Sequence, residues 1–226
     1  MPKRRGVIDG EYQDGEARGR VWLVGASNYG KTTEMLRLLE QCAGPSALYD
    51  HTGRHRLRGS VLVHQPAALI DYITLSWGRS WRVTYEPTAG DVVDHFREFC
   101  RVMAIAGGVV VGVDEIDAYC GAEWGKSHMP PELYKLAHHG RHQGSRGGPR
   151  GVALLYTARI PSSVAPALRS QPSEIRAFYD HDADQINKYL KPAMGPEAAR
   201  RIPGLERFQF LIWNQGRPVR LAGGPR

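Results

Sequence analysis

Residues 25–33 read Gly-Ala-Ser-Asn-Tyr-Gly-Lys-Thr-Thr and follow directly on the apolar run Val21, Trp22, Leu23 and Val24. The pattern G-x-x-x-x-G-K-[ST], set between a strand-like run and the helix-like residues 33–39, restricts the chain to folds that place a helix straight after a buried strand. Gly25 and Gly30 let the backbone curl around a β-phosphate with its N–H groups turned inward, and the next helix presents its positive N-terminus. Lys31 is positioned to reach the β- and γ-phosphates, and Thr32 offers a hydroxyl to Mg²⁺. Gly25, Ala26, Ser27, Asn28, Tyr29, Gly30, Lys31, Thr32 and Thr33 are therefore the expected nucleotide-binding residues, with ATP and Mg²⁺ as the expected ligands. A second Gly-Lys-Ser at 125–127 fails the same spacing. Its nearest upstream glycine, Gly121, is one residue too close and no apolar strand precedes it, so it reads as loop.

The rest of the chain alternates short apolar runs with amphipathic ones. Strands are expected at residues 47–49, 61–63, 82–85, 109–113, 152–156, 174–179 and 207–213, and helices at 31–41, 66–72, 91–106, 131–139 and 182–190. Asp91 is the expected N-cap of the third of these helices. Val109, Val110, Val111 and Val113 make a run too apolar and too β-branched for an exposed strand, which puts it in the middle of a parallel sheet. The expected fold is α/β, a P-loop core with a mostly parallel central sheet flanked by helices. Residues 1–19 are polar and charged and read as an N-terminal arm, with 20–226 as a single P-loop ATPase domain.

In such folds ligands bind at the carboxyl ends of the strands. The valine-rich strand ends in Asp114 and Glu115. Behind a P-loop, an aspartate there holds Mg²⁺ and a glutamate orients and polarises the water that attacks the γ-phosphate. Thr157, ending the next strand, is placed as a sensor of the γ-phosphate or the water. Arg159 and Arg141 are candidates for stabilising the charge that develops on the γ-phosphate, in their own subunit or a neighbouring one, and charge clustering alone does not separate that role from contact with DNA.

The formal net charge is +7, and it is clustered. No acidic residue falls between Glu132 and Glu174 or between His51 and Ile70. Arg54, Arg56 and Arg58 lie in the second window, and Arg146 and Arg150 with Lys135, Arg141, Arg159 and Arg169 in the first. Such clustering suits a surface that neutralises nucleic-acid phosphates without reading bases, and the first five arginines are the candidate DNA contacts. Cys42, Cys100 and Cys120 are an odd, scattered set that fits neither a disulfide framework nor a zinc site. No apolar run approaches the roughly 20 residues of a membrane span. A soluble intracellular protein is expected.

The order GASNYGKTT, ALYD, RVTYEP, VVVGVDEID, HHGRHQG and LLYTARIPSSVAPALRSQPSEIRAFYD resembles the FtsK-HerA superfamily of P-loop ATPases. Within it, the chain is similar to the genome-packaging ATPases of tailless, membrane-containing double-jelly-roll viruses. The resemblance runs from about residue 21 to 190. It implies a RecA-like core and a ring of identical subunits, hexameric or pentameric, that drives double-stranded DNA through its channel into a preformed capsid, with Arg141 favoured to act across the subunit boundary. It further implies docking on capsid or membrane vertex proteins, with the protein in the host cytoplasm and at a packaging vertex. By the same resemblance Lys31, Thr32, Asp114 and Glu115 match the phosphate, metal and water ligands, and Arg141 the arginine of the GRH motif. Where relatives carry Thr-Gln-Arg-Pro, this chain has Thr157, Ala158, Arg159, Ile160 and Pro161, an alanine in place of the amide. The insertion 145–150 is longer than expected. The alternatives are a cellular or conjugative DNA pump or helicase of the same superfamily, whose members usually carry an added domain or anchor, and a non-motor nucleotide switch or kinase. Arginine clustering argues against the last two.

Overall fold

Nine strands alternate with helices along the computed structural model, which describes residues 19–88, 92–139 and 151–224. The strands are β1 (Arg20–Val24), β2 (Ser46–Tyr49), β3 (Val61–Val63), β4 (Arg82–Tyr85), β5 (Val110–Val113), β6 (Ala153–Ala158), β7 (Glu174–Phe178), β8 (Gln209–Asn214) and β9 (Arg220–Gly223). The longer helices are α1 (Lys31–Gln41), α2 (Pro66–Leu75), α3 (Val92–Ala106) and α4 (Pro131–His139). The sheet is mixed and mostly parallel, ordered β3-β4-β2-β5-β6-β1-β7-β8-β9, with antiparallel pairing only at β7–β8 and β8–β9 among the described pairs. This is the α/β architecture that the alternation of short apolar and amphipathic runs predicts. The chain divides into two compact units, one built from Leu36–Asp114 and Pro130–Leu154, the other from Arg20–Met35, Glu115–Met129 and the described residues from Leu155 onward.

In the first unit β5 is buried along its whole length and pairs in parallel with β2, from Ser46 against Val110 to Tyr49 against Val113. Valines that would be costly to expose fix it inside the sheet. The buried stripe of α3, Phe96, Phe99, Cys100 and Met103, packs on β2 through the Tyr49 ring, 5.0 Å from Phe96 and 5.1 Å from Phe99. The Tyr49 hydroxyl donates to the Val92 carbonyl at 2.9 Å, so the first turn of α3 is tied to the strand whose end it follows in space. The expected cap, Asp91, lies outside the described residues. On the other side of α3, Glu132 of α4 accepts from Arg97 Nε at 3.0 Å and from Arg101 at 3.4 Å.

In the second unit β1 pairs in parallel with β7, and β7 is followed outward by the antiparallel β8 and β9. Arg176 of β7 is buried and donates to two buried carboxylates, Glu34 of α1 and Glu174 of β7. This triad fixes the first turn of α1, the helix that begins at Lys31, onto the strand beside β1.

Several elements differ from the sequence expectation. β9 and a helix at Pro196–Arg201 were not anticipated. Gly125, Lys126 and Ser127 lie in a 3-10 segment, Ala122–Ser127, kinked at Gly125, rather than in plain loop. The helix expected at 182–190 opens with Asp182 as N-cap, its carboxylate accepting from the N–H groups of Asp184 and Gln185, and then widens into a π turn at Ile186–Leu190. Pro192 follows that turn and has no N–H to give to an i−4 carbonyl, which accounts for the wide turn there.

Candidate nucleotide site

The four apolar residues ahead of the glycine-rich loop are all buried in β1, and the chain leaves the strand at Gly25 with φ of 140°. A Cβ at Gly25 would lie 2.8 Å from the Tyr179 carbonyl oxygen and 2.9 Å from that of Phe178. Only glycine lets β1 turn this tightly against the end of β7, where the Ala26 N–H donates to the Tyr179 carbonyl at 2.8 Å. At the far side of the loop Gly30 has φ of 99°, and a Cβ there would meet the Phe208 ring at 2.5 Å. Asn28 is also left-handed, with φ of 66°. The loop is thus held by shape on both faces.

The segment before β8 braces the loop tip. The Phe208 N–H donates to the Tyr29 carbonyl at 3.1 Å, and Arg207 Nε donates to the Asn28 carbonyl at 3.2 Å. The Tyr29 ring stacks on Tyr179 with centroids 4.3 Å apart. Inside the curl, Lys31 is buried and its Nζ donates to the Ala26 carbonyl at 2.8 Å, spanning the mouth of the loop. The N–H groups at the start of α1, the Lys31 ammonium and the left-handed turns make a concave surface of donors, the arrangement that takes an anion.

Glu115, Thr157 and Arg159 belong to the same unit as the loop. Glu115 is left-handed, φ 51° and ψ 57°, a conformation that costs a non-glycine residue about 1 kcal/mol. Its N–H donates to the Thr157 hydroxyl at 2.8 Å. Its carboxylate lies 3.7 Å from Arg159 Nε, in a pair whose side chains are 54% (Arg159) and 35% (Glu115) exposed. Arg159 also opposes, by its charge and its backbone N–H, the burial that raises the pKa of Asp117. A cavity of about 370 Å³ is lined by Ala26 and Ser27 of the loop, by Arg159 and Ile160, and by Asp180, His181, Asp182 and Gln185. Thr157 and Ala158, the last two residues of β6, are both buried, and Ala158 stands where an amide was expected.

Asp114 closes β5 in the first unit and is 4% exposed. His55 Nε2 lies 3.8 Å from its Oδ2. The fully buried Asp50, at the end of β2, accepts from the Thr52 N–H and hydroxyl and from the His55 N–H at 2.6 Å, and so shapes the loop that carries His55. Arg54, Arg56 and Arg58 are exposed on the same loop. Arg141, Arg146 and Arg150 lie outside the described residues. A cavity of about 420 Å³ in the first unit is lined by Gly44, Pro45, residues 77–81 and 106–108, which precede β2, β4 and β5, and so it sits at their amino ends.

Thr32, in the second unit, carries a hydroxyl and Asp114, in the first, a carboxylate, both hard oxygen donors. Among the described residues no cluster of three or more His, Cys, Asp or Glu could hold a metal by itself. Sequence reasoning missed Arg207, Phe208, Tyr179 and His55. None carries a motif, and all act through backbone geometry or through contacts far apart in sequence.

No protein-family model matches the sequence, and no curated protein matches it. Solved structures do match in fold. The genome packaging NTPase B204 from Sulfolobus turreted icosahedral virus 2, in complex with ATP-gammaS, is 17% identical with a TM-score of 0.70 over 94% of this chain and 99% of that one. VirB4 of Thermoanaerobacter pseudethanolicus is 9% identical with a TM-score of 0.60 over 95% and 93%. The pCW3 conjugation coupling protein TcpA, with ATPgS, is 12% identical with a TM-score of 0.55 over 92% of this chain and 60% of that one. The chain shares the fold of these structures.

Proposed function

We propose that this chain, which has the fold of an FtsK-HerA-type P-loop ATPase, hydrolyses ATP to move double-stranded DNA, and that it packages a viral genome into a preformed capsid. The observation that carries the reading is the glycine-rich loop closed by Lys31 in the same unit as Glu115, held by Thr157. Lys31 and the α1 N-terminus bind the phosphates, and Glu115 takes the proton of the attacking water. Thr32 and Asp114 are the proposed Mg²⁺ ligands, and the ion would neutralise phosphate charge. The fold likeness to the packaging NTPase spans nearly the whole of both chains, which supports packaging. The likeness to a conjugation coupling protein favours a second reading, a conjugative or cellular DNA pump.

In the packaging reading, identical subunits form a ring of five or six around the DNA, Arg141 acts on the neighbouring subunit's nucleotide, and the ring docks on capsid or membrane vertex proteins. The protein works in the host cytoplasm and at a packaging vertex. Among the described residues no helix is long and apolar enough to cross a membrane. The exposed Arg54, Arg56 and Arg58, with Arg146 and Arg150, hold the DNA backbone.

A motor that passes every sequence in a genome grips phosphate and ignores bases. Affinity for unrelated duplexes across a salt series tests this. The reading predicts a steep salt dependence that barely changes with sequence, and a slope flattened by roughly two units on neutralising Arg54 and Arg56 together. Strong preference for one sequence, or a flat salt response, contradicts it.

A further inference from the structure

Glu115 must be able to face the attacking water, yet its carboxylate is turned toward Arg159, 3.7 Å from Nε. Two other features bear on that pairing. Glu115 is anchored by the bond from its N–H to Thr157, so its side chain can swing while the backbone stays. Arg159 lines the same cavity as Ala26 and Ser27, the first loop residues after Gly25, so the residue that pairs with Glu115 also borders the phosphate loop. An exposed ion pair is weak, whereas a guanidinium on a phosphate forms short, charge-assisted and often bidentate bonds. An arriving γ-phosphate is therefore the stronger partner for Arg159.

Resting on the nucleotide-site reading, we propose that Arg159 is a positioning residue for Glu115: without the γ-phosphate it holds the Glu115 carboxylate, and on binding the γ-phosphate it releases it. Glu115 and the γ-phosphate then compete for one cation in the same subunit. ADP, lacking the third phosphate, leaves the pair intact, so hydrolysis itself resets it. Thr157 and Arg159 together take the sensing role for which Ala158 has no side-chain group.

The competition is read by a binding cycle with ATP-gammaS and ADP on wild type, Glu115→Gln, Arg159→Ala and the double variant. Glu115→Gln should tighten ATP-gammaS about fivefold and leave ADP unchanged, because the competitor has been removed. Arg159→Ala should lower the preference for ATP-gammaS over ADP by about tenfold, and in its background Glu115→Gln should no longer tighten ATP-gammaS. Arg159→Lys should retain much of the preference, and unchanged ADP affinity in every variant reports that the loop is still folded. Equal tightening by Glu115→Gln with and without Arg159 would reveal a general charge effect and overturn the proposal, as would an unaltered preference in Arg159→Ala. Failure of wild type to bind either nucleotide overturns the nucleotide site itself, and with it this inference.

Discussion

The Thr157 hydroxyl accepts the backbone N–H of Glu115 at 2.8 Å and so holds a glutamate in the left-handed region. Strain of this kind persists where surrounding bonds enforce it, and here it sets the direction in which Glu115 leaves the end of β5. Thr157→Val keeps the shape and loses the acceptor. Its kcat should fall about tenfold while KM stays within about twofold, since ground-state binding rests on the loop and Lys31. Thr157→Ser, which keeps the hydroxyl, should restore most of the rate. Steady-state hydrolysis of the two variants is the check, and a change confined to KM would put Thr157 on the substrate instead.

Arg176 neutralises two carboxylates that are both buried, Glu34 and Glu174. Arg176→Met fills the space and leaves those charges without their cation. Removing one partner of a buried ionic group costs about 3–5 kcal/mol, which for a domain of this size is a melting temperature lower by on the order of 10 °C. Because Glu34 stands in the first turn of α1, the same variant should lose affinity for ADP as well. Thermal unfolding with and without ADP measures both effects.

The bonds from Arg97 to Glu132 hold the Glu132 carboxyl below its ordinary value of 4.5. A carboxyl lowered by folding stabilises the fold above its unfolded-state value, and that contribution is lost as the pH falls through the lower folded-state value. Glu132→Gln should therefore be less stable than wild type at pH 7, and the gap should close on acidification below about pH 4. Denaturant unfolding at pH 7 and pH 3.5 gives the comparison. A gap that stays constant would mean that Glu132 acts through packing alone.

Much of this was legible in the sequence because burial and backbone constraint leave local marks. The buried run Val21–Trp22–Leu23–Val24, the glycines at 25 and 30 and the helix from Lys31 are fixed by neighbours in the chain, and the structure has them within a residue of expectation. The valines of β5 were equally clear. The Arg176 triad was not, because Glu34 and Arg176 are 142 residues apart and each alone looks like an ordinary charged residue. Phe208 adopts φ of 66° with no glycine or asparagine to announce it, and the largely exposed β9 has no alternation to reveal it. Of the candidate residues, Glu115, Thr157 and Arg159 were proposed from their place at strand ends, and the structure brings them into contact. The contacts among them depend on side-chain directions that spacing does not encode.

The central claim, ATP hydrolysis coupled to duplex DNA, is tested most directly by steady-state hydrolysis of Mg-ATP with and without DNA of unrelated sequences, in wild type, Lys31→Ala and Glu115→Gln. The account predicts a wild-type rate raised about tenfold or more by any duplex, no nucleotide binding in Lys31→Ala, and retained binding with turnover lowered at least a hundredfold in Glu115→Gln. A wild-type rate that ignores DNA, or equal loss of nucleotide binding in both variants, would contradict it.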